Sequence, residues 1–222
     1  MWLDLKVQRR MQAAGQVFEL DVTLQCTQRQ VVVFGPSGAG KSLTLKAVAG
    51  LLRPGQGHVT LQGQVLFDSR ARVDLPPQRR RLGYVFQDYA LFPHLSVRQN
   101  VAFGLQRGWF NPRRGQRFDL VEQWLQAFRI DHVGDLLPSQ ISGGQRQRTA
   151  LARVMVTQPQ ALLLDEPFAA LDHDLRQHLR EELAAVLDST GIPLLLISHD
   201  PQDAVVFGQQ VAHMADGRVV GD

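Results

Sequence analysis

No stretch limits the architecture of this chain more than "VVVFGPSGAGKSLTLKAVAGLL", residues 31–52. A short apolar run suited to a buried strand ends in a glycine-rich turn, and the turn runs straight into residues at helical spacing. "GPSGAGKS", Gly35 to Ser42, set between strand and helix is a P-loop. Its glycines let successive N–H groups curl around phosphates, and the helix dipole favours the negative charge. Lys41 is spaced to reach the β- and γ-phosphates of a nucleotide, and the Ser42 hydroxyl to ligate Mg²⁺. Such a loop requires a strand buried on both faces, so the chain is expected to be α/β with a parallel sheet.

Two more runs have the same character. "QALLLDE" (160–166) and "PLLLISH" (193–199) are short, continuous and apolar, and each ends in polar residues. In open α/β sheets the ligand sits beyond the carboxyl ends of the strands. The three runs therefore deliver Gly35–Ser42, Asp165 with Glu166, and Ser198 with His199 to one edge. An acidic pair at a strand end can be mere loop surface. Beside a P-loop, Asp165 is the expected Mg²⁺ partner, and Glu166 is placed to orient or deprotonate a water facing the γ-phosphate. A lone histidine after an apolar strand is more often structural, but at this edge the His199 ring N–H can hold the γ-phosphate. Gln87, which ends the strand-like run "LGYVF", carries no signal by itself.

The N-terminus reads differently. Leu3, Leu5 and Val7, then Phe18, Leu20, Val22 and Leu24, alternate with period two, as half-buried antiparallel strands do. Cys26 continues that apolar phase and reads as a buried core thiol; a single cysteine excludes an internal disulfide and a cysteine-only metal site. A reducing, cytosolic setting fits. "VAHMADGRVV" (211–220) looks like a hairpin closed at Asp216-Gly217. Between about 88 and 150 the apolar residues thin out, Arg107, Arg113, Arg114 and Arg117 cluster, and "FDLVEQWLQAF" reads as helix. This is the pattern of a helical lobe inserted into the sheet domain. With 44% hydrophobic and 20% charged residues the composition is that of an ordinary globular chain, and a formal charge of +3 is too small to argue for nucleic acid. No apolar run approaches the ~18 to 20 residues of a membrane span, and the opening residues carry no secretory-signal pattern.

"ISGGQRQRTALARVM", 141–155, raises a separate question. A glycine-opened helix start is a second anion site, yet the P-loop already holds a nucleotide's phosphates. It could serve a second ligand, it could be a plain helix start capped by Ser142, or it could complete the phosphate shell of a nucleotide held by another copy. The last fits best, because a γ-phosphate at a sheet edge is half-solvated.

Gly35–Ser42, Gln87, "ISGGQ" (141–145), "LLLDEP" (162–167), "ALD" (170–172) and His199 together resemble the nucleotide-binding subunit of ATP-binding-cassette (ABC) transporters, in the family's order and over essentially the whole chain. The resemblance implies a P-loop NTPase core with a parallel sheet, an N-terminal antiparallel β subdomain and an inserted helical subdomain. It places the core sheet at about 1–87 and 155–222, and the helical insert at about 88–154, within one ABC ATPase domain spanning 1–222. It implies ATP with Mg²⁺, hydrolysed by a homodimer. Catalysis would fall to Glu166, His199, Lys41 and Gln87. ATP would be held by Gly35, Pro36, Ser37, Gly38, Ala39, Gly40, Lys41, Ser42 and Leu43 of one copy and Ser142, Gly143, Gly144 and Gln145 of the other, with Asp172 crossing the seam. Ser42, Gln87 and Asp165 would hold the metal.

The resemblance also implies integral membrane permease subunits, indirectly a substrate-binding protein, no nucleic acid, and a peripheral place on the cytoplasmic face of the plasma (inner) membrane. Tyr89, Leu91, Phe92 and Pro93 form an apolar cluster that reads equally as local core or as the rim of the permease groove. The stretch 65–105 is most similar to ATPase subunits of molybdate importers, with sulfate, iron and polyamine importers close behind. The chain departs from the family in two places. The stretch "RRMQAAGQVF" offers only Phe18 to stack an adenine, and no C-terminal regulatory domain follows the last strand.

Overall fold

The computed structural model describes residues 1–13, 16–105, 111–169 and 171–221. In chain order its elements are β1 (Leu3–Ala13), β2 (Gln16–Cys26), β3 (Gln30–Phe34), α1 (Lys41–Ala49), β4 (Gln56–Leu61), β5 (Gln64–Asp68), β6 (Val73–Asp74), α2 (Pro77–Arg80) and β7 (Leu82–Val85). The chain continues with α3 (Val97–Phe103), α4 (Asp119–Ala127), α5 (Gly143–Met155), β8 (Ala161–Asp165), α6 (His173–Thr190), β9 (Leu194–Ser198), α7 (Pro201–Phe207), β10 (Gln210–Ala215) and β11 (Arg218–Gly221). They form two compact units.

The first unit comprises Met1–Leu82, Gln160–Glu166 and Leu187–Asp222. Its antiparallel sheet runs β2-β1-β4-β5-β6. The period-two alternation explains it: Leu3, Leu5 and Val7 face Cys26, Leu24 and Val22 across the β1–β2 ladder, and all six are buried. Cys26 is fully covered, and burial pushes its thiol up to about 12, which leaves it protonated and inert.

The second sheet of this unit runs β11-β10-β3-β9-β8, with β10, β3, β9 and β8 parallel. All five residues of β8 and of β9 are buried, as a strand covered on both faces requires. Each leucine there contributes about 1.5–3 kcal/mol by leaving water. The register sets the strand ends level: Phe34 pairs with Ser198, and Asp165 with Ile197. The residues that follow therefore leave the sheet at one edge. The β10–β11 hairpin closes at Asp216 (φ 45°) and Gly217 (φ 78°), the left-handed pair of a two-residue hairpin turn.

The helix after the P-loop is shorter than the apolar spacing to Leu52 suggests. α1 stops at Ala49 because Gly50 turns left-handed (φ 79°). The buried Arg80 guanidinium donates to the Ala47 and Val48 carbonyls at 2.9 and 2.8 Å, satisfying the acceptors that the helix leaves open.

The second unit comprises Gly83–Pro159 and Pro167–Val186. It takes in α3, α4, α5 and most of α6, so the compact body around the helical stretch also includes 167–186, which the sequence had grouped with the core sheet. Its interior is built from Val97, Val101, Val121, Leu125, Leu151 and Met155. Arg98, buried in it, is paired with Glu122 at 2.5 Å and with Asp135 at 3.4 Å. Arg107 and Ala170 lie outside the described residues.

Candidate functional site

In the first unit the turn after β3 begins at Gly35, where an added Cβ would lie 2.1 Å from the Met214 carbonyl oxygen of β10. Only glycine lets the loop pass that close. Gly40, at φ 97°, opens α1 and gives it no side-chain cap. The first N–H groups of α1 are thus left for an anion. Pro36, Ser37 and Gly38 are exposed; Gly35, Ala39, Gly40 and Lys41 are buried; Ser42 and Leu43 are half-buried.

Lys41 Nζ folds back over the loop and donates to the carbonyls of Gly35 (2.7 Å) and Pro36 (2.8 Å). It also sits 3.8 Å from Glu166 Oε1. Ser42 Oγ donates to Asp165 Oδ1 at 2.7 Å, so the hydroxyl and the carboxylate share one small space. That oxygen pair suits a hard cation that keeps most of its waters and takes its other ligands from phosphate. Among the described residues there is no cluster of three or more His, Cys, Asp or Glu side chains that could hold a metal ion.

Glu166 holds φ 47°, a left-handed conformation that is costly for a residue with a side chain, and its N–H donates to the Ile197 carbonyl at 3.1 Å. Its Oε2 lies 3.1 Å from His199 Nδ1. The sheet edge thus gathers Lys41, Ser42, Asp165, Glu166 and His199 from three strand ends. One support was missed in the sequence. Asp203 accepts a hydrogen bond from Ser198 Oγ at 2.5 Å, while Ser198 Oγ accepts from the Asp200 N–H at 2.9 Å. This network fixes the turn that carries His199. The Asp200-Pro201 pair in "SHDPQD" marks the start of α7, but nothing in the stretch announces that Asp203 turns back to the Ser198 hydroxyl.

The remaining expected residues lie in the second unit. Gln87 follows β7 and is exposed. Ser142 is the N-cap of α5: its Oγ accepts from the Gln145 N–H at 3.2 Å, and Gln145 Oε1 accepts from the Ser142 N–H at 2.9 Å. Helix capping is therefore a real function of this stretch. Asp172 is exposed and caps α6 by a single bond, accepting from the Leu175 N–H at 2.9 Å. The two glycines differ. A Cβ on Gly144 would lie 2.7 Å from Leu175 Cδ2, whereas one on Gly143 meets nothing closer than 3.6 Å. Those atoms are the end of the half-buried Leu175 side chain, which can turn aside, and alanine favours a helix over glycine, so Gly144→Ala is expected to leave the thermal midpoint close to the parent's. Gly143 is spared that contact and remains half-buried at the helix start.

Tyr89 is buried, Leu91 and Phe92 are half-buried, and Pro93 is exposed. The Phe92 and Phe103 rings lie 4.3 Å apart between centroids. The cluster is part core and part surface. In the first unit Phe18 is half-buried, and its ring end lies 3.0 Å from where a Gly40 Cβ would stand.

A family model described as ABC transporter matches residues 19–169. The chain belongs to the ABC transporter family. The matched span contains Gly35–Leu43, Gln87, Ser142–Gln145, Asp165 and Glu166, and ends before Asp172 and His199. Among similar proteins is the molybdate/tungstate import ATP-binding protein WtpC of Archaeoglobus fulgidus, 41% identical over 220 residues, covering 99% of this chain and 86% of the relative. The sulfate/thiosulfate import ATP-binding protein CysA of Synechocystis is 41% identical over 200 residues, covering 90% of this chain. The Fe(3+) ions import ATP-binding protein FbpC of Pseudomonas fluorescens is 41% identical over 205 residues, covering 92% of this chain. The chain spans only 54% of that CysA and 56% of that FbpC. Of solved structures, a dimeric post-hydrolysis state of the ATP-binding cassette MJ0796 bound to ADP and Pi is similar at a TM-score of 0.81 and 27% identity, with 99% of this chain and 97% of that one covered. The ABC ATPase fold is thereby established.

Proposed function

We propose that this chain is the ATP-hydrolysing subunit of an ABC importer, working as two copies on the cytoplasmic face of the membrane. The observation that carries this reading is the strand-edge cluster of Lys41, Ser42, Asp165, Glu166 and His199 in a member of the ABC transporter family. No helix among the described residues is long and apolar enough to cross a membrane, so cargo would cross through separate permease subunits, fed by a substrate-binding protein.

In this reading ATP replaces the carbonyls of Gly35 and Pro36 as the partner of Lys41, and the ammonium follows the charge of the β- and γ-phosphates. The uncapped start of α1 accepts the same phosphates. Ser42 and Asp165 would hold Mg²⁺, with Gln87 as its third protein ligand; when bound, the ion neutralises phosphate charge. Glu166 takes a proton from the attacking water. His199, bonded to Glu166 through Nδ1, fixes that carboxylate, and as an imidazolium with N–H groups on both ring nitrogens it would also donate from Nε2 to the γ-phosphate. Ser142–Gln145 of the second copy completes the phosphate shell, and Asp172 meets the seam between the copies.

The cargo we assign is molybdate, a small oxyanion. The molybdate/tungstate relative matches almost the whole chain, and the chain in turn spans most of that relative. Sulfate, iron and spermidine/putrescine relatives at 40–41% identity form the alternative set. Molybdate uptake in cells lacking this chain tests the assignment. Loss of molybdate uptake supports it; loss of sulfate or iron uptake with molybdate uptake intact overturns it.

If the Phe92 ring lines the permease groove, Phe92→Ala is expected to leave basal ATP turnover near the parent value while uptake is lost. Phosphate release and cargo uptake, measured on the same variant, check this. Loss of basal turnover would show that the ring serves the core of its own unit instead.

A further inference from the structure

The segment after Gln87 has an unusual backbone. Tyr89 (φ 62°) and Ala90 (φ 43°) are consecutive left-handed residues, and neither is glycine. Such a pair persists only where neighbours hold it. One neighbour is Arg153, near the end of α5. Its Nη2 donates to the Tyr89 carbonyl and its Nη1 to the Ala90 carbonyl, both at 2.7 Å. The same guanidinium lies over the Phe92 ring, 5.6 Å from its centroid. A second neighbour is the fully buried Asn100 of α3. Its Oδ1 accepts from the Phe92 N–H at 2.9 Å, and its Nδ2 donates to the Phe92 carbonyl at 3.1 Å.

Asn100 anchors Phe92 to α3, whereas Arg153 ties the Tyr89 and Ala90 carbonyls to α5, from which Arg146 also acts on the Tyr89 side chain. That helix begins at Gly143, and Arg153 stands ten residues on, about 15 Å along a rigid rod. The planar fork of the guanidinium matches two adjacent carbonyls, a match that a lysine ammonium does not offer. Burial also holds the Arg153 guanidinium below its ordinary value, with Asp88 opposing that effect.

We propose that Arg153 is a positioning residue that transmits movement of the Ser142–Gln145 helix to the Tyr89–Phe92 segment. The inference rests on the reading of this chain as a two-copy ATPase coupled to a permease. An ATP-driven displacement at the start of α5 would reach the Tyr89 and Ala90 carbonyls through the Arg153 guanidinium, and Phe92 through its ring. The segment offered to the membrane partner would then follow the nucleotide site.

Hydrogen exchange over residues 86–95 tests this on the whole chain, in a Glu166→Gln background with and without MgATP. Arg153→Met keeps the length and removes every donor; Arg153→Lys keeps the charge and removes the fork. Without nucleotide, both variants are expected to exchange faster at Tyr89–Phe92 by roughly tenfold or more, the scale of a lost bond to a charged donor. The ATP-dependent change in exchange seen with Arg153 intact should disappear in both, while ATP affinity is kept. Should the Met variant unfold, the Lys variant decides alone. Parent-like exchange in a folded Lys variant, or an ATP-dependent change that persists in full, would overturn the inference. Failure of the broader reading looks different: the chain with Glu166 and Arg153 intact would then turn over no ATP at all.

Discussion

Glu166→Gln is expected to retain MgATP while turnover falls by on the order of 10²-fold or more, the scale of a lost general base. The substitution is nearly isosteric. Glu166 is held between Lys41 Nζ at 3.8 Å and His199 Nδ1 at 3.1 Å, with its backbone fixed at φ 47°. Glutamine can occupy that place and still bond to both neighbours, but it cannot take a proton. It also removes a negative charge that faces the phosphate chain, so affinity for ATP should hold or rise. Lys41, Ser42 and Asp165, which meet the phosphates and metal in this account, are untouched. ATP that binds but is not cleaved should keep two copies closed. Light scattering with MgATP should give the mass of a dimer, and phosphate release should show the lost turnover. Turnover within a few-fold of the parent would remove Glu166 from the chemistry.

Much of the sheet edge was legible because its signals are local and physically obligatory. A buried strand followed by "GPSGAGKS" leaves little freedom, and the apolar runs at 161–164 and 194–197 could be only strands or short buried helices. Their polar ends then pointed to one edge, and the register of Phe34, Asp165 and Ser198 bears this out. The antiparallel hairpin and the buried thiol of Cys26 followed from alternation alone. The end of α1 was missed, because the apolar pattern continues to Leu52 while Gly50 and the distant Arg80 stop the helix. Asp203 beneath His199 and Arg153 beneath Tyr89 were missed for a related reason. Each acts on backbone or hydroxyl groups whose positions depend on tertiary packing, and a polar residue on a helix face gives no warning of that. Ser142 shows the opposite limit. Its capping bond with Gln145 was foreseeable and is present, yet a cap and a phosphate site use the same helix start, and geometry within one chain does not separate them.

A mixed dimer separates them. Lys41→Ala removes the ammonium assigned to the β- and γ-phosphates in the proposed mechanism and also releases the Gly35 and Pro36 carbonyls it bridges, so its homodimer should lose turnover by on the order of 10²–10³-fold. Gly143→Asp attacks the other half. A side chain at Gly143 meets nothing nearer than 3.6 Å, and a carboxylate in the first turn suits the helix dipole, so the variant should fold. The same carboxylate would repel an incoming phosphate at close range. Its homodimer should be inactive as well. When the two variants are co-expressed with different tags and the heterodimer is purified, both defects fall in one composite site. The other site keeps an intact Lys41 and an intact Ser142–Gln145. The measurement is ATP turnover of that heterodimer, alongside both homodimers and with ATP-dependent dimerisation of Glu166→Gln as the control for closure. If two copies share each nucleotide, the heterodimer recovers activity that neither homodimer has. If each chain builds its own site, every site in the heterodimer carries a defect: no activity returns, no ATP-dependent dimer forms, and the composite site is contradicted.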